Sequence, residues 1–177
     1  MPDHVPAEPI ILVATDPFDR AKADAATYAG RTERGGILLG SRRGRHLHIE
    51  AATLPSRWDK ATMFAFHRGT AGHQAAALRR WKTSRSTSDW LGEWHSHPER
   101  SPTPSKIDLE CWNHIVQHHG KPMVFVIFGY QDIWVGLLSP GRSSPARYRP
   151  VEVSGAGVAY VHATPRVTRT EDVARLI

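Results

Sequence analysis

One cysteine, Cys111, stands in a chain of 177 residues. It leaves no internal disulfide and no cysteine-built zinc finger to form, and such usage fits a reducing compartment. The pattern around it is helical, so Cys111 is expected as a small core residue. Long apolar runs are missing as well: no stretch approaches the roughly 20 residues that a membrane-spanning helix needs. Met1-Pro-Asp-His-Val-Pro6 has neither the basic region nor the apolar core of a secretory signal. The expected location is the cytoplasm, with no membrane partner. Dense basic runs interleaved with aromatics are also lacking. The formal charge of +6 comes from scattered residues such as Arg42, Arg43, Arg79, Arg80 and Lys82. Nucleic acid is therefore not the expected partner; an acidic protein substrate or a solvated surface accounts for the same balance.

What is present fits one compact domain with a sizeable core. A content of 40% hydrophobic and 23% charged residues is that of a globular chain, not a disordered one. Residues 9–14 read as a short strand. Residues 17–29 read as a helix, with Asp16 as N-cap, Pro17 at the first position and Gly30 as its end. Strands follow over 35–40 and 46–53, the second alternating Leu47 and Ile49 with His46, His48 and Glu50. A further strand is expected over 61–66, a helix over 70–81 and a polar loop over 83–88. The segment 90–98 reads as a strand running out into a proline-rich loop, and 105–118 as a helix stopped by Gly120 and Pro122. Strands 123–128 and 133–138 form a hairpin turned at residues 129–132. Residues 141–145 read as a linker, and the tail to Ile177 is weakly patterned. These elements predict an α/β fold, a sandwich with a mixed sheet. Its domain spans 1–140, and residues 141–177 form an extension packed on the same domain.

The chemistry concentrates at His95-Ser96-His97, followed by seven residues, Ser105, two residues and Asp108. On a strand, residues two apart share a face, so His95 and His97 point the same way. Ser101-Pro-Thr-Pro104 cannot be helical throughout. Ser105 then opens a helix whose first turn carries Asp108 back toward the imidazoles. Two imidazoles and a carboxylate make a three-ligand zinc site with one open position, the mark of a hydrolytic and not a structural zinc. With 11 histidines in the chain, chance alone produces this register with a probability of about 10⁻³. The bland alternative is that Ser105 and Asp108 form only a capping box, which leaves the paired imidazoles unexplained.

Such a zinc needs a carboxylate to move a proton from water to the leaving amine. Glu33, just before the strand 35–40, and Glu93, on the face of His95 and His97, compete for that role. Together these residues resemble a known family. The pattern Glu33-x-x-Gly36-x-Leu38-x-Gly40, then His95-Ser-His97-x7-Ser105-x2-Asp108, is similar to the JAMM motif of the MPN-domain metallopeptidases. The resemblance implies the MPN (JAMM, cytidine-deaminase-like) fold, a mixed curved β-sheet flanked by helices. It implies one Zn2+ per chain held by His95, His97 and Asp108, with Glu33 as general acid and base. Ser105 would donate to the tetrahedral oxyanion. Ser96 is expected to be structural, and Glu93 and Trp94 to support the site or touch substrate. Trp90, Trp94 and Trp112 are otherwise core candidates, and His114 is the one histidine of the later helix able to approach the site. Arg57, Phe64 and Arg68 are either substrate contacts or surface residues.

The run Gly92-Glu-Trp-His-Ser-His-Pro-Glu99 resembles small bacterial members of that family. Those lie beside cGAS-like nucleotidyltransferases and E1/E2-like proteins in anti-phage islands. The expected activity is an isopeptidase that cleaves after the C-terminus of a ubiquitin-like or nucleotidyltransferase protein conjugate. An extended substrate tail is expected to add as a strand beside the metal strand. Two other classes remain in view: a non-catalytic MPN scaffold and a nucleic-acid-associated protein of the same fold. Scaffold members of the fold typically lack the metal residues, whereas here the full set is present; salt-dependent nucleic-acid binding that survives zinc loss separates the second.

Overall fold

The computed structural model describes residues 8–62, 66–153 and 157–163. Its elements are β1 (Ile11–Ala14), α1 (Thr15–Thr27), β2 (Gly35–Arg43), β3 (His46–Ala52), β4 (Lys60–Ala61), β5 (Phe66–His67) and α2 (Thr70–Thr83). They continue with β6 (Asp89–Ser96), α3 (Lys106–His119), β7 (Met123–Phe128), β8 (Ile133–Leu138), β9 (Ala146–Val153) and β10 (Gly157–His162). Strand β7 shows how sequence becomes architecture. It is an unbroken apolar run with every residue buried. Val124, Val126 and Phe128 face one core, while Phe125, Ile127 and Met123 face a second. A strand covered on both sides reads as such a continuous run.

The sheet is mixed, as expected, but the curved sheet expected is here a closed eight-stranded barrel, in the order β1-β10-β9-β8-β7-β6-β2-β3. Closure comes from β1, which pairs antiparallel with β10 and parallel with β3. Strands β6 and β7 form the other parallel pair. Closing the ladder leaves no strand edge among these eight. Strands β9 and β10 lie in the segment that patterning left as linker and extension. Pro150, inside β9, supplies no ladder donor, which blurs the strand signal in the sequence. Residues 164–177 lie outside the described residues, as do 63–65 of the strand expected over 61–66. In place of that strand stands the small β4–β5 ladder. Helix α1 starts earlier than expected, at Thr15 with Ala14 in the N-cap position, so Asp16 sits within its first turn and does not cap it.

The barrel interior is filled by side chains, including Leu38, Leu91, Trp94, Val124 and Val135, and α1 adds Phe18, Ala21 and Ala25 to the same core. The Phe18 ring lies 5.1 Å from that of Phe128. On the outer side α3 packs Trp112 and Val116 against β7 and β8, Trp112 stacking on Phe125 at 4.4 Å and 19°. Strand β6 would follow simple alternation were it not for a bulge. The register with β2 slips between Leu38 and Leu39, so that Leu38 faces Gly92 while Leu39 faces Trp90. Leu91 and Trp94 thereby both enter the inner core, leaving Glu93 and His95 on the outer face. The bulge depends on Gly92, whose φ is +156° and whose missing Cβ would stand 1.7 Å from the Val124 carbonyl oxygen. Among the described residues no helix is long and apolar enough to cross a membrane.

A buried polar cluster fixes the segment between β3 and α2. Thr53 Oγ1 accepts from the Ile37 N–H at 2.9 Å and meets His73 Nδ1 at 2.6 Å. His73 Nε2 lies 3.0 Å from Asp59 Oδ2, and Asp59 also accepts from the N–H groups of Ser56 and Gly69 at 2.6 and 2.7 Å. The Thr53 carbonyl accepts from Trp94 Nε1 at 2.9 Å. Gly36 makes this junction possible: a Cβ there would fall 2.1 Å from the Thr53 oxygen. The motif glycine is thus a packing requirement behind the site.

Candidate metal centre

Strand β6 delivers His95 at its outer face. His97 lies one residue past the strand, but its N–H donates to the Phe128 carbonyl at 3.0 Å and prolongs the ladder. The two rings therefore share a side, with their Nε2 atoms 3.0 Å apart. Trp112 stands beside His95 at 5.9 Å between ring centroids. Helix α3 brings the carboxylate. Ser105 caps it, accepting the Asp108 N–H at 3.1 Å, while Asp108 Oδ2 accepts the Ser105 N–H at 2.7 Å. This capping box turns Asp108 back toward the imidazoles, leaving Oδ1 3.2 Å from His95 Nε2 and Oδ2 3.3 Å from His97 Nε2. Capping and convergence coexist in one carboxylate, and the Ser105 hydroxyl proton remains to donate elsewhere.

The two Nε2 atoms lie 3.0 Å apart and each has an Asp108 oxygen within 3.3 Å, a spacing that suits a small ion. A tetrahedral zinc with bonds near 2.1 Å needs donors about 3.4 Å apart. Among the described residues this is the one such group of donors, and two imidazoles with a carboxylate are the zinc-type set. The residues fit the group. Burial alone would raise the Asp108 carboxyl, but the hydrogen bonds from His95, His97 and Ser105 outweigh it and hold Asp108 well below the usual range. Burial likewise works against a charged His97, yet the Asp108 carboxylate lifts it above the ordinary value. The cluster is built to hold opposite charge at close quarters.

Glu33 joins the cluster through strand register. Gly35 pairs with His95. The Ser96 N–H donates to the Arg34 carbonyl at 2.8 Å, and the Arg34 N–H donates to Ser96 Oγ at 2.9 Å. One more step along this antiparallel pairing puts Glu33 opposite His97. Ser96 is thus the clasp that holds the pairing together. Arg34 is locked in turn by Asp24 at 2.7 Å and by the Tyr28 ring at 3.9 Å. Burial pushes the Glu33 carboxyl above its ordinary value, with His95 and His97 opposing and Asp108 adding to the shift. Its side chain lines the same cleft as the three donors and Ser105.

Glu93 lies on the same outer face, but Arg68 Nε holds its carboxylate at 2.8 Å. Burial still raises the Glu93 carboxyl, the Arg68 charge opposing. The Arg68 guanidinium sits 5.3 Å over Trp90. Trp94 is turned into the barrel, 1% exposed, and offers a substrate no ring face. Cys111 is exposed and lines the cleft, contrary to the core position expected for it. The buried stripe of α3 runs through Trp112 and Val116, and Cys111 falls outside that stripe. His114 is exposed and Arg57 stacks on Trp58 at 4.6 Å; Phe64 lies outside the described residues. Sequence reading missed Thr53, Asp59 and His73, whose positions carry no local signal. A tail cannot add beside β6, because β2 and β7 already pair with both of its edges.

Fold and site together define a mixed α/β barrel that carries a His-His-Asp donor cluster on a cleft with a buried glutamate beside it. The chain belongs to the Prok-JAB family, the prokaryotic homologs of the JAB domain, which it matches over residues 17–135. It is 43% identical over 122 residues to a Pseudomonas aeruginosa protein named CD-NTase/cGAS isopeptidase, covering 68% of this chain and 77% of the relative. An Escherichia coli protein of the same name is 33% identical over 126 residues, covering 71% of this chain and 80% of the relative. The fold resembles the solution structure of a Desulfitobacterium hafniense protein with a TM-score of 0.58 at 19% identity, over 77% of this chain and 88% of that one.

Proposed function

We propose that this protein is a zinc-dependent isopeptidase that releases the C-terminus of a conjugated protein from a lysine or a precursor peptide. The observation that carries the proposal is the convergence of His95, His97 and Asp108 within 3.3 Å on a cleft that also holds Glu33 and Ser105. The three donors would hold the zinc. When bound, it would polarise the scissile carbonyl and make a water nucleophilic near neutral pH.

The other residues have separable tasks. Glu33 takes the proton of the attacking water and returns it to the departing amine; its raised pKa brings the carboxyl nearer the working pH. The Ser105 hydroxyl, whose oxygen already accepts the Asp108 N–H, donates to the developing oxyanion. Glu93 is held by Arg68 and does not serve as the base. The names of the relatives point to a CD-NTase/cGAS-type protein as the conjugated partner, with a ubiquitin-like protein as the wider class. Anti-phage defence, with E1/E2-like conjugating proteins acting before this step, is the setting that follows.

The test combines elemental analysis with cleavage of a nucleotidyltransferase–lysine conjugate. About one zinc per chain is expected. Glu33→Ala should lower turnover by about 10²–10⁴-fold with zinc content unchanged. A metal-stripped preparation that cleaves at full rate overturns the proposal. Collapse with Glu93→Ala and not with Glu33→Ala transfers the proton-moving role.

A further inference from the structure

Glu33 forms a wall shared by two clefts. The larger, about 600 Å³, runs from Arg68 and Glu93 past the donor cluster to Ser105 and Ile107. The smaller, about 290 Å³, lies on the other side of Glu33, between the end of α1 and the turns at Pro98 and Tyr130. Glu33, His97 and Pro98 border both. We propose that the smaller cleft is the subsite for the leaving lysine, taking its aliphatic side chain with Nε directed at Glu33. This rests on the isopeptidase reading above and extends it to the leaving-group side.

Three features argue for that occupant. The first is the direction of the proton. Hydrolysis breaks the bond between the carbonyl carbon and Nε; the hydroxyl of the water stays on the carbon, and its proton passes through Glu33 to Nε. The amine must therefore depart on the side that Glu33 faces, away from Ser105 and the oxyanion. The second is the lining. Ala25 and Ala26 at the end of α1 and Ala29 just past it project only methyl groups, and Gly30 and Gly129 project nothing. Such a mostly apolar trough matches a flexible four-methylene stem. The third is the rim, where Lys22 and Arg31 are exposed. Their charge favours target lysines that have acidic neighbours.

The test uses two pools of random octapeptides with a C-terminal glycine. One pool is joined through that glycine to the Nε of Nα-acetyl-lysine amide, the other to methylamine, and cleavage is followed by mass spectrometry. Ala29→Trp and, separately, Ala26→Trp fill the trough from exposed positions. Each is expected to lower kcat/KM for the lysine-linked pool by about tenfold or more and to leave the methylamide pool within about twofold. Equal loss on both pools, or no loss on either, overturns the subsite. Wild-type protein inert toward both pools overturns the isopeptidase reading and the subsite with it. A binding measurement stands apart from turnover: Nα-acetyl-lysine methylamide should shift the methyl resonances of Ala26 and Ala29. Shifts confined to other alanines overturn the assignment.

Discussion

His73 and Asp59 lie 3.0 Å apart, and His97 and Asp108 lie 3.3 Å apart. The side chains are the same and the surroundings are not. His73 is 1% exposed, and the Asp59 carboxylate is enclosed by His73 and two backbone N–H groups. With His73 protonated at Nε2 and accepting from Thr53 at Nδ1, each ring nitrogen has a partner. That cluster is sealed and complete, as buried polar groups must be if they are not to destabilise the fold. In the other, two ring nitrogens face each other at 3.0 Å and a carboxylate faces both, beside an open cleft. Its donors converge on one another from different elements with room between them. A histidine–carboxylate pair announces a site only when its donors remain incompletely satisfied and a substrate can reach them.

The largest contrast should come from removing one carboxylate from each cluster. Asp108→Asn keeps an oxygen able to accept the Ser105 N–H, so α3 stays capped while the anionic donor is lost. Zinc affinity should fall by more than about a hundredfold, with the melting temperature of the metal-free protein within a few degrees of wild type. Asp59→Ala should do the reverse. Leaving His73 Nε2–H and the Ser56 and Gly69 N–H groups without their acceptor costs about 1–3 kcal/mol for each donor that stays buried, which for a chain of this length lowers Tm by about 10 °C. The folded fraction should retain its zinc. Calorimetry and metal titration of both variants test the contrast, and it fails if both variants lose metal and stability together.

A smaller effect lies in the pH dependence of the sealed cluster. Burial would raise the Asp59 carboxyl, but the Ser56 and Gly69 N–H groups and His73 hold it below its ordinary value. Because the folded value lies below the unfolded one, the stabilisation is complete above the ordinary value of about 4 and fades as pH falls through the folded value. Urea unfolding should therefore show the gap between wild type and Asp59→Asn narrowing as the pH is lowered from about 5 to about 2. A gap that stays constant over that range would remove Asp59 from the account of acid stability.

The sequence makes the open cluster legible and hides the sealed one, for a reason of distance along the chain. His95, His97, Ser105 and Asp108 lie on one strand, one loop and one helical turn, so period and proline placement bring them together. Thr53, Asp59 and His73 meet only because the segment after β3 folds back beneath α2, and no spacing rule encodes that. Glu33 is intermediate: its role came from family resemblance, whereas its place opposite His97 follows from the pairing of Gly35 with His95. Barrel closure was out of reach, since it depends on β1 meeting β10 from the opposite end of the chain. The short strand β1 was readable, but the proline-bearing β9 that carries the chain to β10 leaves little pattern to read. Cys111 was misplaced because a helical window indicates a buried face without fixing its phase.

The smallest expected effect concerns Glu93, which stands between the two clusters in character. It lines the open cleft like Glu33, yet it is partnered like Asp59, with Arg68 Nε at 2.8 Å. Glu93→Gln keeps an oxygen for Arg68 and removes only the charge, so the guanidinium should hold its place over Trp90. Because Gln keeps that hydrogen bond, the loss should stay near 1 kcal/mol, or about fivefold in kcat/KM. The loss should appear in KM, since Arg68 lines the cleft and is partnered by Glu93, not by the donor cluster. Zinc content should not move. A collapse of kcat with KM unchanged would mean that Glu93 handles the proton, and the distinction between a partnered carboxylate and a working one would have to be redrawn.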